Sequence, residues 1–219
     1  MASSSLSPQE NPLAVEKVSK LIAKFGIPSI VSFLVSALYN IVDQIFIGQG
    51  VGMLGNAATN VAFPLSTIAT SLALLLGIGG AANFNLSMGR GDQERAGYMA
   101  GNAISFLGIF GIGLAGITLL FLLPLMAIFG ATEQVMPYAI TYTSITAFGL
   151  PFVIFSTGCS HLIRADGSPT YSMACMLSGA IVNTILDPLF IFTFDMGIAG
   201  GALATVIGQV LSACMALYY

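Results

Sequence analysis

The sequence predicts an all-α integral membrane protein built as a bundle of six transmembrane helices. Charged residues are only 7% of the 219 positions and apolar residues 56%, whereas a soluble domain carries roughly 25% charged residues. Mean hydropathy is +0.92. The apolar residues gather into six runs, at about 21–47, 56–88, 97–123, 134–160, 171–194 and 197–219. Each is long enough for the roughly 20 residues that a helix needs to cross the hydrocarbon of a bilayer.

Residues 1–16 are polar, contain Ser and Pro and lack an apolar core, so they are expected to form a cytosolic tail rather than a cleaved signal peptide. The remainder, 17–219, is expected to be one six-helix lobe. The first span carries a single acid, Asp43. The second is too long to be a straight crossing, and Pro64 with the cluster Gly77, Gly79 and Gly80 predicts a kink or a section standing proud of the membrane. Gly97 and Gly101 on the third span predict close approach of a neighbour. His161, at the end of the fourth span, reads as an interfacial residue. On the sixth span Gly200, Ala204, Gly208 and Ser212 form a small-residue stripe that admits a neighbouring helix. The adjacent stripe, Gly201, Thr205 and Gln209, then turns toward the bundle interior.

The fifth span holds the most informative stretch, Val182-Asn183-Thr184-Ile185-Leu186-Asp187-Pro188-Leu189-Phe190. An unpaired charge at such a depth costs about 2.5–3.5 kcal/mol on the insertion scale, so it is expected to face the protein interior, to find a partner and to function. Asn183 lies four residues before Asp187, on the same helical face. Pro188 has no N–H and clashes with the carbonyl of residue i−4, Thr184, which frees a backbone acceptor on that turn. A carboxylate, a carboxamide and a released carbonyl together suit a cation or a proton.

Orientation follows from the bases. Lys17, Lys20 and Lys24 precede the core of the first span, Arg90 and Arg95 lie between the second and third, and Arg164 lies between the fourth and fifth. The alternate loops, about 48–55, 124–133 and 195–196, contain no Lys or Arg. All six bases thus fall on one side, which predicts both termini in the cytoplasm. With that topology Asp43, Asp187 and Thr205 share one depth, roughly 6–12 Å from the outer edge at 1.5 Å rise per residue. Side chains from three helices at one level are what a common outer-leaflet cavity requires. The segment from Asn40 to Ile47 also resembles that from Thr184 to Ile191, with identity at Ile, Asp, Phe and Ile, a match that an Ile- and Leu-rich chain can also produce by chance.

Other chemistries are excluded or left without support. No Walker, GxGxxG, HExxH or basic nucleic-acid pattern is present, so an ordinary soluble enzyme is excluded and no catalytic residue is expected. Cys159, Cys175 and Cys214 are odd in number, lack metal-site spacing and lie in apolar runs, so they read as small core residues rather than disulfides. Glu133 and Asp195 are expected in solvated external loops. Arg90, Arg95 and Arg164 serve orientation first, with weak local pairing to Asp92, Glu94 or Asp166.

The stretch from Ile27-Pro28 through Leu38-Tyr39-Asn40-Ile41-Val42-Asp43-Gln44-Ile45-Phe46-Ile47-Gly48 resembles the first helix of multidrug and toxic compound extrusion (MATE) transporters. Asn56 to Pro64 resembles their second helix, Gly89-Arg90-Gly91-Asp92 and Arg164 to Pro169 their cytosolic turns, and Asn183 to Pro188 their fifth helix. The series spans nearly the whole chain after residue 17 and is most similar to the bacterial DinF- and MepA-like branch. The resemblance implies one six-helix lobe of a twelve-helix fold whose two lobes flank a central cavity. It also implies exchange of Na⁺ or H⁺ for cationic or amphipathic drugs. A family site in the amino lobe, carried across, becomes Asp43, Asn183, Asp187 and Thr205, the set that depth and helical face also select. Pro28 matches a first-helix proline linked to bending; Pro64 and Pro188 are the other expected helix irregularities. The chain ends after one lobe, so a second six-helix half is the implied partner.

The expected function is cation-coupled efflux, with the chain contributing the ion-coupling lobe and no cofactor beyond the coupling ion. Two nearby carboxylates in low dielectric disfavour double ionisation, so the pair calls for a proton or a Na⁺ ion. Tyr39, Asn40, Tyr142 and Gln209 are expected to line a substrate cavity. One alternative is a flippase of the same superfamily for a lipid-linked or oligosaccharide substrate, for which a basic cavity would be expected; no Lys or Arg lies deep within a span. Another is a non-transporting membrane partner or regulatory half-lobe. The lipid bilayer is the expected surrounding, in the inner or plasma membrane, and no nucleic-acid partner is expected.

The topology is tested by cysteine accessibility. Single cysteines at Glu133 or Asp195 should react with an impermeant reagent from outside the cell, and those at Arg90 or Arg164 should not. The reverse pattern would invert the orientation.

Overall fold

A computed structural model describes residues 17–219, so the polar tail at 1–16 lies outside the described residues. Among the described residues seven α-helices follow one another: α1 (Val18–Gly50), α2 (Met53–Gly89), α3 (Gln93–Leu120), α4 (Leu122–Ile128), α5 (Met136–Ala165), α6 (Pro169–Pro188) and α7 (Gly197–Tyr218). All but α4 are long and apolar enough to cross a membrane, giving the six expected spans. The protein is an all-helical, multi-pass membrane lobe. Its helices run slightly beyond the apolar cores, so Lys20 and Lys24 fall within α1 and Arg164 in the last turn of α5.

The turns at the basic end are built from local chemistry. Gly91 and Gly167 adopt φ of +77° and +92°, a region in which only glycine is free of a Cβ penalty. Asp92 then caps α3 by accepting the Arg95 backbone N–H at 3.0 Å, with Glu94 in the positively polarised first turn.

At the opposite, base-free end the expected loop 124–133 contains a helix instead. The chain breaks at Phe121 and re-forms as α4, whose Met126 is fully buried and receives a hydrogen bond from Thr143 Oγ1 at 3.3 Å. Leu122 and Leu125 pack with Met126 against Ala58, Val135, Ala139 and Ile198. A seven-residue helix is below the length that holds alone; burial of its apolar face stabilises it.

The lobe is centred on α5, which packs against α2, α3 and α7. Leu65, Ala69, Leu107, Ala147, Leu150 and Ile154 form the principal core. Glycine permits the closest crossings. A Cβ on Gly77 would lie 2.7 Å from the Gly158 Cα, and one on Gly111 would lie 2.8 Å from the Pro151 Cα. At the α6–α7 crossing a Cβ on Gly208 would lie 2.7 Å from the Gly179 carbonyl oxygen, and Ser212 Oγ donates to the Cys175 carbonyl at 2.9 Å. Gly200, Ala204, Gly208 and Ser212 are all buried, as their spacing predicts.

Two expectations need correction. Gly97 and Gly101 are exposed, and a Cβ on either would meet nothing within 4 Å. Gly111, ten residues beyond Gly101 on α3, makes the close approach instead, because that face turns toward α5. Cys159 and Cys175 are buried free thiols, but Cys214 is exposed on the outside of α7 and is not a core residue. α1 and α2 are each continuous helices that contain Pro28 and Pro64. At 37 residues, α2 reaches about 55 Å, well beyond a hydrocarbon core of about 30 Å, so part of it does stand proud. At Pro188, α6 gives way to a π-helical turn, Leu189–Thr193.

The crossing geometry predicts a contrast. Gly208→Val should lower the melting temperature of the purified protein, because overpacking against the Gly179 backbone costs about 1–3 kcal/mol. Gly101→Ala, which adds a methyl to open space and removes a helix-weakening glycine, should be neutral or stabilise by up to about 1 kcal/mol. Equal destabilisation by both would contradict this account of the packing.

Candidate functional site

Three helices converge on the site. α6 packs on both α1 and α7, and the Gly179–Gly208 crossing draws α6 close enough to α7 for polar side chains one turn further on to meet. Asn183, on the same face as Gly179, donates from Nδ2 to Thr205 Oγ1 across the interface at 3.4 Å. The same carboxamide donates to Asp187 Oδ1 one turn along α6 at 3.2 Å. From α1, Asp43 brings its carboxyl group directly against that of Asp187. Asp187 and Asn183 are buried, at 0% and 3% relative exposure, and Asp43 is at 7%, so neither carboxylate faces lipid.

The defining feature is an excess of acceptors. Asp43 Oδ1, Asp187 Oδ2, Asn183 Oδ1 and Gln209 Oε1 are all buried without a hydrogen-bond donor. Leaving one buried acceptor unpaired costs about 1–3 kcal/mol, more when it is charged. A proton or a hard cation is the chemistry that such unpaired oxygens would satisfy. Among the described residues no cluster of three or more His, Cys, Asp or Glu occurs. The set of two carboxylates, a carboxamide oxygen and a hydroxyl is all-oxygen, which suits hard cations rather than zinc or copper.

Two tyrosines close the surroundings. Tyr142, from α5, directs its hydroxyl to Thr205 and lies within electrostatic reach of Asp43, Asp187 and Tyr39. Tyr39 sits one turn before Asp43, in contact with Ser36 and Asn40. Gln209 reaches toward α5 at Gly149, where a Cβ would collide with Gln209 Oε1. Tyr39 and Tyr142 therefore gather around the central residues, while Gln209 lies one turn beyond Thr205 on α7, against Gly149. Asn40 does not join them: it is exposed, donates to the Ser36 carbonyl at 2.7 Å, and faces a neighbouring cleft. His161 lies some 19 residues beyond Tyr142 on α5, about 28 Å along the helix axis.

Sequence reasoning left one polar group unassigned. Gln44, one residue past Asp43, accepts at Oε1 from Thr59 Oγ1 of α2 at 3.0 Å, and the same hydroxyl lies 2.9 Å from the Asn56 carbonyl. The i, i+4 spacing of Asn40 and Gln44 was the signal available in the sequence, since it places both carboxamides on one face of α1.

Six bilayer-length helices around a buried pair of carboxylates and an acceptor-rich pocket have the architecture of a membrane transporter lobe. The MatE family model matches residues 28–189, and the chain belongs to the MATE family. It is 31% identical over 206 residues to the multidrug export protein MepA of Staphylococcus aureus, an alignment covering 92% of this chain and 45% of MepA. The MepA of Staphylococcus haemolyticus is 28% identical over 202 residues. Among solved structures, MATE in complex with MaD3S superposes with a TM-score of 0.89 at 27% identity, covering 97% of this chain and 48% of that one. MATE in the bent conformation gives 0.85 at 28% identity, over 91% and 44%. The chain thus spans about half the length of the relatives it matches.

Proposed function

We propose that this chain is the ion-coupling lobe of a cation-driven exporter of cationic or amphipathic compounds, completed by a second six-helix lobe. It sits in the inner or plasma membrane with both termini in the cytoplasm, and the coupling ion is Na⁺ or H⁺, held by Asp43, Asn183, Asp187 and Thr205. The observation that carries this reading is the unpaired oxygen set: Asp43 Oδ1, Asp187 Oδ2 and Asn183 Oδ1, buried together without donors. No Lys or Arg contributes to the electrostatic surroundings of Asp43, Asp187 or Tyr142, so compensation comes from a mobile cation rather than a fixed one. The same lack of bases supports cationic or neutral cargo over the anionic lipid-linked substrates of a flippase. The staphylococcal relatives are named as multidrug export proteins, which agrees with that cargo class.

The mechanism follows from the packing. When Asp43 and Asp187 share a proton or Na⁺, their repulsion is relieved and α1 can close on α6 and α7. When the cation leaves, two carboxylates at close range in low dielectric push α1 away or draw in water. α1 suits this role because it is the least buried of the six spans. Compound and cation exchange if each prefers a different placing of α1 against α6 and α7, since a ligand shifts an equilibrium only by its differential affinity. The compound itself undergoes no covalent change in this cycle, so no catalytic residue is assigned.

In the complete transporter, Asp187→Asn should keep shape and most hydrogen bonding while removing the charge. Gradient-driven efflux of a fluorescent cation from proteoliposomes should fall by about tenfold or more at matched protein level, and Asp43→Asn should do the same. The double variant should be little worse than either single, because the two carboxylates act as one unit. Pro188→Ala should be milder, since it removes no charge. Near-normal efflux by Asp187→Asn under both an imposed Na⁺ and an imposed H⁺ gradient would sink the coupling role.

A further inference from the structure

α3 and α7 each pack along α5, but they do not pack along one another. They form the two banks of a furrow whose floor is α5. α3 is instead drawn toward α2, where a Cβ on Gly80 would stand 2.5 Å from the Ala103 Cβ. The gap left open has a volume of about 230 Å³. Phe84, Ala100, Ile104 and Phe155 are among its apolar walls, and Asp166 and Tyr219 stand at its mouth.

Depth and lining point to hydrocarbon as the occupant. Phe155 lies eleven residues before Asp166, about 16 Å along the helix axis, roughly half of a hydrocarbon core of about 30 Å. The furrow thus spans one leaflet, at the base-rich end of the lobe. Tyr98 and Ile104 of α3 and Leu217 of α7 are exposed beside it, as on a lipid-facing surface. Left empty, such a gap forfeits dispersion contacts along its walls, and water finds too few polar partners there. Its volume is below the roughly 300–1,000 Å³ of pockets that enclose drug-sized compounds. Part of one flexible chain fits it better.

The mouth adds a charge. Asp166 is exposed at the C-terminal end of α5, where the helix dipole reinforces its negative field. Arg164, two residues away, does not neutralise it. That guanidinium turns to α6, donating from Nε to Ser172 Oγ at 3.0 Å and from Nη2 to Met176 Sδ at 3.6 Å. The Tyr219 hydroxyl donates to Asp166 Oδ2 at 2.6 Å and lies 2.9 Å from Ser168 Oγ. This holds the carboxylate in place and leaves its other oxygen to accept from a ligand.

We propose that the α3–α7 furrow holds one acyl chain of a phospholipid whose primary-ammonium headgroup donates to Asp166, the chemistry of phosphatidylethanolamine. A chain that arrives from the bilayer gains nothing by leaving water, so selection lies in the headgroup. A primary ammonium donates hydrogen bonds to a carboxylate; a trimethylated choline has no N–H, and a glycerol headgroup has no positive charge. The leaflet concerned rests on the orientation predicted from the bases, but the binding does not.

The test places the complete transporter in phosphatidylcholine vesicles with a trace of phosphatidylethanolamine carrying a diazirine in its acyl chain. After irradiation, adducts are mapped by peptide mass spectrometry. They should concentrate at 100–104 and 155–163. Unlabelled phosphatidylethanolamine should compete in a saturable way, and phosphatidylglycerol with the same chains should not. Asp166→Asn should raise the half-competing fraction by about tenfold, the effect of a lost charge-assisted hydrogen bond, whereas Asp166→Glu should retain the preference. Ala100→Phe, which fills the furrow, should abolish these adducts; Ala100→Leu replaces it where melting shows that it does not fold. Adducts spread evenly over the lipid-facing residues would overturn the site, as would their persistence in the filled variant. Equal competition by phosphatidylglycerol, or an unchanged preference in Asp166→Asn, would do the same. A furrow without adducts would mean that protein covers it, which overturns the proposal equally.

Discussion

The burial of two carboxyl groups against each other, inside a lobe with hardly any other charge, is the constraint on which the rest of this structure depends. Each carboxylate alone would be a liability in the bilayer. Together they require helices to meet at one depth and a donor within reach. Asn183 is that donor for Asp187, and its single NH₂ group also reaches Thr205 of α7. Asp43 Oδ1, Asp187 Oδ2 and Asn183 Oδ1 are buried without a hydrogen-bond donor, the vacancy that the proposed coupling ion would fill.

Small residues make that convergence possible. The α6–α7 contact is backbone against backbone at Gly179 and Gly208, and a larger side chain at either would separate Asn183 from Thr205. The same device at Gly77 with Gly158 and at Gly111 with Pro151 fastens α2 and α3 to α5. The part of the lobe away from the site is thereby fixed by close helix crossings of the kind that hold bundles together in lipid. α1 is held differently, mainly along α6, and carries the one site carboxylate that lies outside the α6–α7 unit. Rigid support on one side and a lightly attached helix on the other is a suitable division for an ion-sensitive movement.

α1 also separates two chemistries by helical phase alone. Asp43 and Gln44 are adjacent in sequence, yet a rotation of about 100° sends one into the lobe and the other to the cleft with α2. The buried face of α1 thus carries the acid, and the face toward α2 carries a neutral carboxamide.

The sequence by itself determined the class of fold and the number of spans, and it placed Asp43, Asn183, Asp187 and Thr205 on faces that the fold brings together. Long apolar runs have one stable form in a bilayer, and an acid within such a run must face inward, so composition and spacing suffice. The small-residue stripe of α7 was legible for the same reason, since its i+4 repeat defines a face. Periodicity names a face but not the neighbour that covers it. Gly97 and Gly101 thus read as packing positions although they are exposed, and Gly111 could not be singled out. The same limit hid the burial of α4 through Met126 and the exposure of Cys214. It also hid the π-turn after Pro188 and the meeting of Gln44 with Thr59. Each of these depends on which helix lies opposite, a relation between residues far apart in the chain that only the tertiary structure decides.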